Sequence, residues 1–414
     1  GAQPGYYGWR EAGSEGHINW VFDSVRKHGK IMMTELDFRT WMGNLRDLAD
    51  DFHHARYWNL EELTGAAARD IGKLFSVMGG AWWMEMTGGW FHHDDIMDMI
   101  GHLHDVAQQL YEKDPVITPA DIVFIADEDS YFWSTEQFNI RQARLTHALN
   151  VQQRAINRAG LKYDFYYLDD VIADEMVDYK VYVFLNQYYV TDELRQFIDT
   201  HLKKDGKVIV WQYAPGYVTP EEWSLESMET LTGIKMGTDN GHVAAKFANA
   251  FDLDLSAEQA RTVKMLLADI EGKSVGLGLG PATQRFYVDD PEAIPLAYYT
   301  DDGRVAAAVK FMDGYTSIYM GHPSGFTPDW LANIAKVFDV HTYMEPVGEM
   351  FMHHRDDFIV IHGVEGGQRI LRLPYKAKVT DLLNDRVLMQ EGNEVVVQLE
   401  PTETLWLHVE RLEQ

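Results

Sequence analysis

Two hydrophobic spacings alternate along most of this chain, unbroken short runs and helical stripes, before strand-and-turn units take over near its end. The runs from Lys30 to Thr34 (KIMMT) and from Ala81 to Met86 (AWWMEM) predict buried parallel strands, which present continuous apolar stretches. Helical stripes flank them. Asn19 to His28 predicts a short helix with Trp20, Phe22 and Val25 inward, stopped at Gly29. Asn59 to Val77 predicts a longer helix, with Asn59 as its cap and Glu62 at the third position, much like a capping box. Asp94 to Glu112 carries Ile96, Met99, Ile100, Leu103 and Leu110 at helical spacing. Its Asp94–Asp95 start complements the helix dipole.

Strand and helix continue to alternate after residue 118. Asp121 to Ala126, Tyr163 to Leu168, Val181 to Leu185, Val208 to Tyr213 and Thr316 to Met320 read as strands. Asn139 to Arg158, Thr191 to Lys204 and Thr327 to Phe338 read as helices, the second with Glu193 and Gly206 as start and stop signals. That rhythm predicts an α/β fold with a doubly wound parallel sheet. Ser224 to Pro281 carries no clear period, and its GLGLG (Gly276 to Gly280) lacks both GxGxxG spacing and a following helix, so it reads as a turn. From about His341 the pattern becomes short strands with turns, at Phe358–His362, Gln368–Leu373, Val395–Leu399 and Thr404–Val409. These predict a small antiparallel β-sandwich. The expected division is 1–118, 119–343 and 344–414.

Charge narrows the partners. Across 414 residues, 36 Lys plus Arg stand against 64 Asp plus Glu, a net −28. Phosphate binding needs clustered cations, so nucleic acid and anionic membrane are excluded as partners. No apolar run approaches the roughly 20 residues of a membrane-spanning helix. The first residues lack the basic start and apolar core of a signal peptide, and there is no initiator Met. A soluble protein is expected, its compartment left open with the cytoplasm favoured. The absence of Cys excludes disulfides, thiolate nucleophiles and Cys-ligated zinc.

The first two apolar runs end alike. Each reaches a carboxylate, Glu35 in KIMMTELDFRTW and Glu85 in AWWMEMTGGWFHH, and then turns polar, Gly-rich or aromatic. Catalytic groups of α/β barrels stand where such strands end, at the carboxyl face. Trp41, Trp82, Trp83 and Trp90 accompany them, and carboxylates among aromatic rings suit a carbohydrate. Glu35 has a plainer alternative, a salt bridge to Arg39 four residues on. In the functional reading Arg39 keeps the carboxylate ionised. Glu85 reads as a second site acid or as a hydrogen-bonded structural group, and His92 as a donor to a sugar hydroxyl. The pairs His53–His54, His92–His93 and His353–His354 lack the i, i+4 spacing of HExxH, and His102 and His104 point to different helix faces. No metal and no cofactor are expected. Asp127–Glu128–Asp129, after the third apolar run, stands where doubly wound sheets bind ligands, and reads more readily as a solvated acidic turn.

DSVRKHGKIMMTELDFRTW (Asp23 to Trp41), the stretch from Pro119 through Tyr213 and the ending NDRVLMQEGNEVVVQLEPTETLWLHV together resemble the carboxyl-terminal part of beta-galactosidases of the glycoside hydrolase family 42 type. The resemblance implies the last two strands of a catalytic (β/α) barrel, a flavodoxin-like, amidotransferase-like trimerisation domain and a small β-domain. The amidotransferase chemistry itself is excluded, because it needs a Cys nucleophile. It implies a retaining hydrolase acting on a carbohydrate substrate. Glu35 would stand in the nucleophile's place on strand seven and Trp83 on strand eight near the bound sugar. Asp37, Arg39 and Trp41 would be neighbours of the site. A homo-oligomer, dimer or trimer, would follow. The family's general acid, a Glu in an Asn-Glu pair after strand four, has no counterpart here, nor have strands one to six. A retaining glycosidase needs two carboxylates about 5 Å apart. The chain is therefore expected to be catalytically incomplete, or to be a non-catalytic carbohydrate-binding and oligomerisation protein or fragment. The apolar faces of its two barrel strands are expected to be covered, by a neighbouring copy or by the flavodoxin-like domain.

Overall fold

The structure is a computed structural model describing residues 2–4, 10–16, 21–43, 56–85, 88–134, 151–173, 178–253, 255–276, 284–346 and 348–412. The chain divides into two compact units. One comprises residues 1–118, 157–162 and 342–414, and the other 119–156 and 163–341.

The first unit begins with a parallel ladder of three short strands, β1 (Ala2–Pro4), β2 (Met33–Leu36) and β3 (Gly80–Trp83), bonded in that order. The expectation of two strands is corrected to three. β1 consists of Ala, Gln and Pro, too short and too weakly apolar to register as a strand in the sequence. Helices α1 (Phe22–Lys27), α2 (Leu60–Ser76) and α3 (Asp94–Tyr111) follow the expected stripes. Asn59 caps α2 by accepting from Glu62 N at 2.8 Å, and the Glu62 carboxylate reaches back to Trp58 N at 2.9 Å. Asn19, Trp20, Met86, the His53–His54 pair and residues 277–280 lie outside the described residues.

The second unit holds ten strands in one sheet: β4 (Ile122–Ala126), β5 (Asp164–Tyr167), β6 (Val181–Phe184), β7 (Lys207–Gln212), β8 (Met236–Asp239), β9 (Ala245–Phe247), β10 (Arg285–Val288), β11 (Ile294–Tyr299), β12 (Val305–Phe311) and β13 (Tyr315–Met320). β5-β4-β6-β7-β13 run parallel. Beyond β13 the ladder turns antiparallel through β12, β10 and β8, with β11 pairing off β12 and β9 pairing off β11. The all-parallel sheet expected is thus corrected to a mixed one. β11 and β12 are joined by Thr300–Arg304 with no helix between them, and so short a connection allows only antiparallel pairing. Every residue of β4 and β6 is buried, as central parallel strands require. Residues 151–157 are helical, and the rest of the helix expected over Asn139 to Arg158 lies largely outside the described residues.

The first unit closes with β14 (Met350–Arg355), β15 (Phe358–His362), β16 (Gly367–Asp381), β17 (Arg386–Leu399) and β18 (Thr404–Arg411). All their pairings are antiparallel, in the order β14-β15-β18-β16-β17. The expected two-sheet sandwich is corrected to one continuously bonded sheet. β16 runs long enough to bond β17 along its length and β18 along its second half, and its register shifts between Arg372 and Ala377. One face gathers Phe351, Ile361, Leu371, Val379, Val397 and Leu407 into a core.

α2 seats against this sheet at two glycines. The Trp406 indole, fully buried, donates to Ala68 O at 2.8 Å, and Thr404 Oγ1 donates to Gly65 O at 2.7 Å. A Cβ on Gly65 would lie 1.7 Å from Thr402 O, a backbone atom that cannot step aside. Gly65→Ala is therefore expected to destabilise the protein by about 3 kcal/mol, the upper range for overpacking, in denaturant titrations. A second expectation concerns acid. His322, 2% exposed after β13, accepts from Ser324 N through Nδ1 at 3.0 Å, and burial pushes its pKa from 6.5 down to about 4. The unfolded imidazole takes a proton as pH falls through 6.5, the folded one only near 4, so stability is lost across that window. The slope is about 1.4 kcal/mol per pH unit. His322→Gln should flatten the pH dependence of the unfolding free energy by that slope, and an unchanged slope would contradict the assignment.

Candidate functional site

Register sets the site. β1 pairs Pro4 with Glu35, and β3 pairs Trp82 with Glu35 and Trp83 with Leu36. Register partners in a parallel ladder point to the same side, and successive residues to opposite sides. Glu35 therefore shares a face with Trp82. Trp83 lies on the other face, where its ring meets Phe38 at 5.7 Å and Phe91 at 5.4 Å and its Nε1 donates to His104 Nε2 at 3.3 Å. Of the two adjacent tryptophans, sequence reasoning chose the one turned toward α3. Nothing in the string WW shows which of them lies level with the carboxylate.

Glu35 is half-buried near the carboxyl end of the central strand, and its carboxylate makes no hydrogen bond or ion pair among the described residues. The plain alternative, a bridge to Arg39, is not formed. Arg39 turns to Asp37, Nε to Oδ1 at 4.0 Å, and its guanidinium lies 5.7 Å over the Trp90 ring.

Asp37 is held from the other side by Arg10, whose Nη2 donates to Oδ2 at 2.8 Å. All three charges are buried, Arg10 at 2%, Asp37 at 6% and Arg39 at 8% exposure. Arg10 was missed from the sequence, since it stands far along the chain from Asp37 and carries no motif. It is fixed in turn by α2. Arg69 donates to Arg10 O at 3.0 Å, Glu11 O at 2.9 Å and Ser14 O at 2.8 Å, and Lys73 donates to Glu15 O at 2.8 Å. Burial pushes the Lys73 pKa down to about 7 and the Tyr57 phenol, which donates to Arg10 O, well up. The helix thus stitches residues 10–15 in place, and Arg10 passes that rigidity to the segment after β2.

The remaining candidates lie around the segment after β3. Glu85 is exposed and accepts from Trp90 N through Oε1 at 2.7 Å, closing its own loop. It stands three residues beyond the register partner of Glu35, past the end of β3. Trp41 meets His93 edge to face at 5.9 Å, and His92 is exposed. Thr40 donates to Trp90 O, tying the two loops together. Among the described residues no group of three or more His, Asp or Glu is placed to hold a metal, and no helix is long and apolar enough to cross a membrane.

No protein-family model matches this sequence, and no curated protein is found similar to it. Solved structures do match. The chain superposes on a cold-adapted beta-galactosidase from Rahnella sp. R3 with a TM-score of 0.62 at 13% identity, over 92% of this chain and 55% of that one. A beta-galactosidase from Bacillus circulans sp. alkalophilus gives 0.55 at 11% identity, over 95% and 61%. A catalytic mutant of a family 42 beta-galactosidase from G. stearothermophilus gives 0.54 at 12%, over 93% and 60%. The resemblance read from the sequence thus holds at the level of fold: a mixed α/β chain spanning a little over half the length of these enzymes, as a carboxyl-terminal part would.

Asp37→Asn removes the carboxylate that the buried Arg10 guanidinium bonds. The expected cost is about 3 kcal/mol of unfolding free energy, with Arg10→Met/Asp37→Asn together costing less than the two single changes summed.

Proposed function

We propose that this chain belongs to a retaining glycoside hydrolase of beta-galactosidase type, with Glu35 as its nucleophile. The observation that carries the reading is the half-buried Glu35 carboxylate, unpartnered among the described residues, at the carboxyl end of a central parallel strand and level with Trp82. Sugar rings stack on indole faces, and a carboxylate free of ion pairs is available to attack an anomeric carbon. In the first step Glu35 displaces the leaving group while a general acid protonates its oxygen. In the second, water cleaves the glycosyl ester. Asp37 and Arg39 shape the segment beside Glu35, and Trp41 and His92 stand at the rim. Glu85, in the loop after β3 and already accepting from Trp90 N, is a poor general acid.

The strand order of the second unit supports a flavodoxin-like domain. Its five parallel strands, numbered among themselves, run 2-1-3-4-5. The three-part division 1–118, 119–343 and 344–414 and a trimerising role for the second part belong to the same reading. β3 is an edge among the described strands, and Ile31 and Met33 are 68% and 40% exposed beside the ladder, which supports a covering partner in the assembled protein.

The second reading is a non-catalytic carbohydrate-binding and oligomerisation protein. The engagement of Glu85 with Trp90 favours it, since that carboxylate is committed to closing its own loop. Assay of aryl β-galactoside hydrolysis beside galactose binding, followed by tryptophan fluorescence, separates the two. In the enzyme with its barrel complete, Glu35→Gln is expected to lower kcat at least about a thousandfold with galactose affinity kept, and Trp82→Ala to weaken galactose binding about tenfold, while Trp83→Ala acts through stability alone. Galactose binding without any turnover by the unaltered enzyme with its barrel complete would favour the second reading.

A further inference from the structure

His362, the last residue of β15, stands in a hydrogen-bond relay whose direction is fixed at both ends. Gly13 N donates to His362 Nε2 at 3.2 Å. A backbone N–H only donates, so Nε2 is the unprotonated nitrogen and Nδ1 carries the proton. Nδ1 lies 2.8 Å from Thr404 Oγ1, whose own single proton goes to Gly65 O at 2.7 Å, so the hydroxyl accepts from the ring. The relay thus runs from residues 10–16 through β15 and β18 to α2. It exists only with a neutral imidazole. A proton on Nε2 would turn that nitrogen into a donor facing the Gly13 N–H.

The surroundings of His362 oppose that proton. The ring is wholly buried, and burial, then Arg69 and Lys73 of α2 and Arg158, hold its pKa well below the usual 6.5. Lys73 stays charged as pH falls through that range, because burial lowers its own pKa only to about 7. The carboxylates on the neighbouring segments have other partners. Glu15 pairs with Arg158, Asp70 with Arg69 at 2.9 Å and Glu349 with Arg369 at 2.7 Å. Glu365 acts on Arg158, and Glu403, next to Thr404, accepts from Glu400 N at 2.9 Å. Among the described residues no carboxylate is bonded to the imidazole. An imidazolium here would meet three cations and an opposing N–H, and it escapes both only where the relay opens.

We propose that His362 is an acid-released latch: protonation of its Nε2 breaks the bond from Gly13 N and loosens residues 10–16 from the closing sheet. Residues 11–14 are exposed or half-buried, so this segment can lift without opening the core of the sheet. Arg10 stands at its start, and its grip on Asp37 beside Glu35 loosens with it. The latch does not depend on Glu35 acting as a nucleophile. Its sign follows from linkage. The closed latch binds its proton well below pH 6.5 and the open one near 6.5, so closure is fully favoured above 6.5 and lost as pH falls toward the closed-state value.

Amide hydrogen exchange of the full chain, read by mass spectrometry from about pH 7 to about pH 5 and corrected for the intrinsic rate, tests it. Exchange of the carbon-bound imidazole hydrogen gives the pKa of His362 in the same samples. Protection of peptides covering residues 10–16 is expected to start below that of α3 and to fall about tenfold per pH unit below about 6.5. In His362→Gln it is expected to stay flat, because the Gln Oε1 still accepts from Gly13 N and takes no proton. Glu15 and Asp70 are unaltered in that variant, so a fall caused by their titration would persist. Flat protection in the unaltered protein, or an equal fall in the variant, would overturn the proposal. So would protection equal to that of α3 at every pH, the mark of global unfolding. Should the variant not fold, the unaltered protein decides: a His362 pKa well below 6.5 supports the latch, and one at or above 6.5 overturns it.

Discussion

Which side chains share a face is decided, in a ladder of three- and four-residue strands, by register alone. Pro4, Glu35 and Trp82 stand level across β1, β2 and β3. A slip of one residue would put Leu36 where Glu35 is and carry Trp83 in place of Trp82. Short parallel strands hold register poorly by themselves, so the surroundings must supply it. Residues 10–15 are tied to α2 through Arg69 and Lys73, Arg10 grips Asp37 immediately after β2, and Thr40 and Glu85 bind the two loops through Trp90. α2 in turn is seated on the closing sheet through Gly65, Gly72 and Trp406. Buried polar contacts of the first unit thus fix the segments flanking Glu35.

Much of the architecture was legible because hydrophobic period is local. The stripe of α3, the cap at Asn59 and the wholly buried β4 and β6 follow directly from spacing and from capping chemistry. What could not be read was pairing. β1 has no apolar signature, and the antiparallel half of the ten-stranded sheet is assembled from β8, β10, β11 and β12, whose partners are distant or reached through a bare turn. The pairing of β16 with both β17 and β18, which makes one sheet of an expected sandwich, comes with register shifts that no residue type announces.

The site shows the same division. Glu35 was marked by its place at the end of an apolar run, and the structure leaves it unpartnered among the described residues. Trp82 rather than Trp83 on its face, and Arg10 behind Asp37, required three-dimensional partners to be seen. In the second unit an acidic turn that read as solvated proved to be half structural. Asp127 is buried and engaged by Ser130, Asp129 N and Gln187.

The central claim is that Glu35 is the carboxylate that meets the anomeric carbon. Incubating the protein with a fluorinated galactoside inactivator, then digesting it and locating the adduct by mass spectrometry, tests this most directly. The account predicts a single fluorogalactosyl ester on the peptide containing Glu35, absent in Glu35→Gln. An ester on Glu85 or any other carboxylate would contradict it.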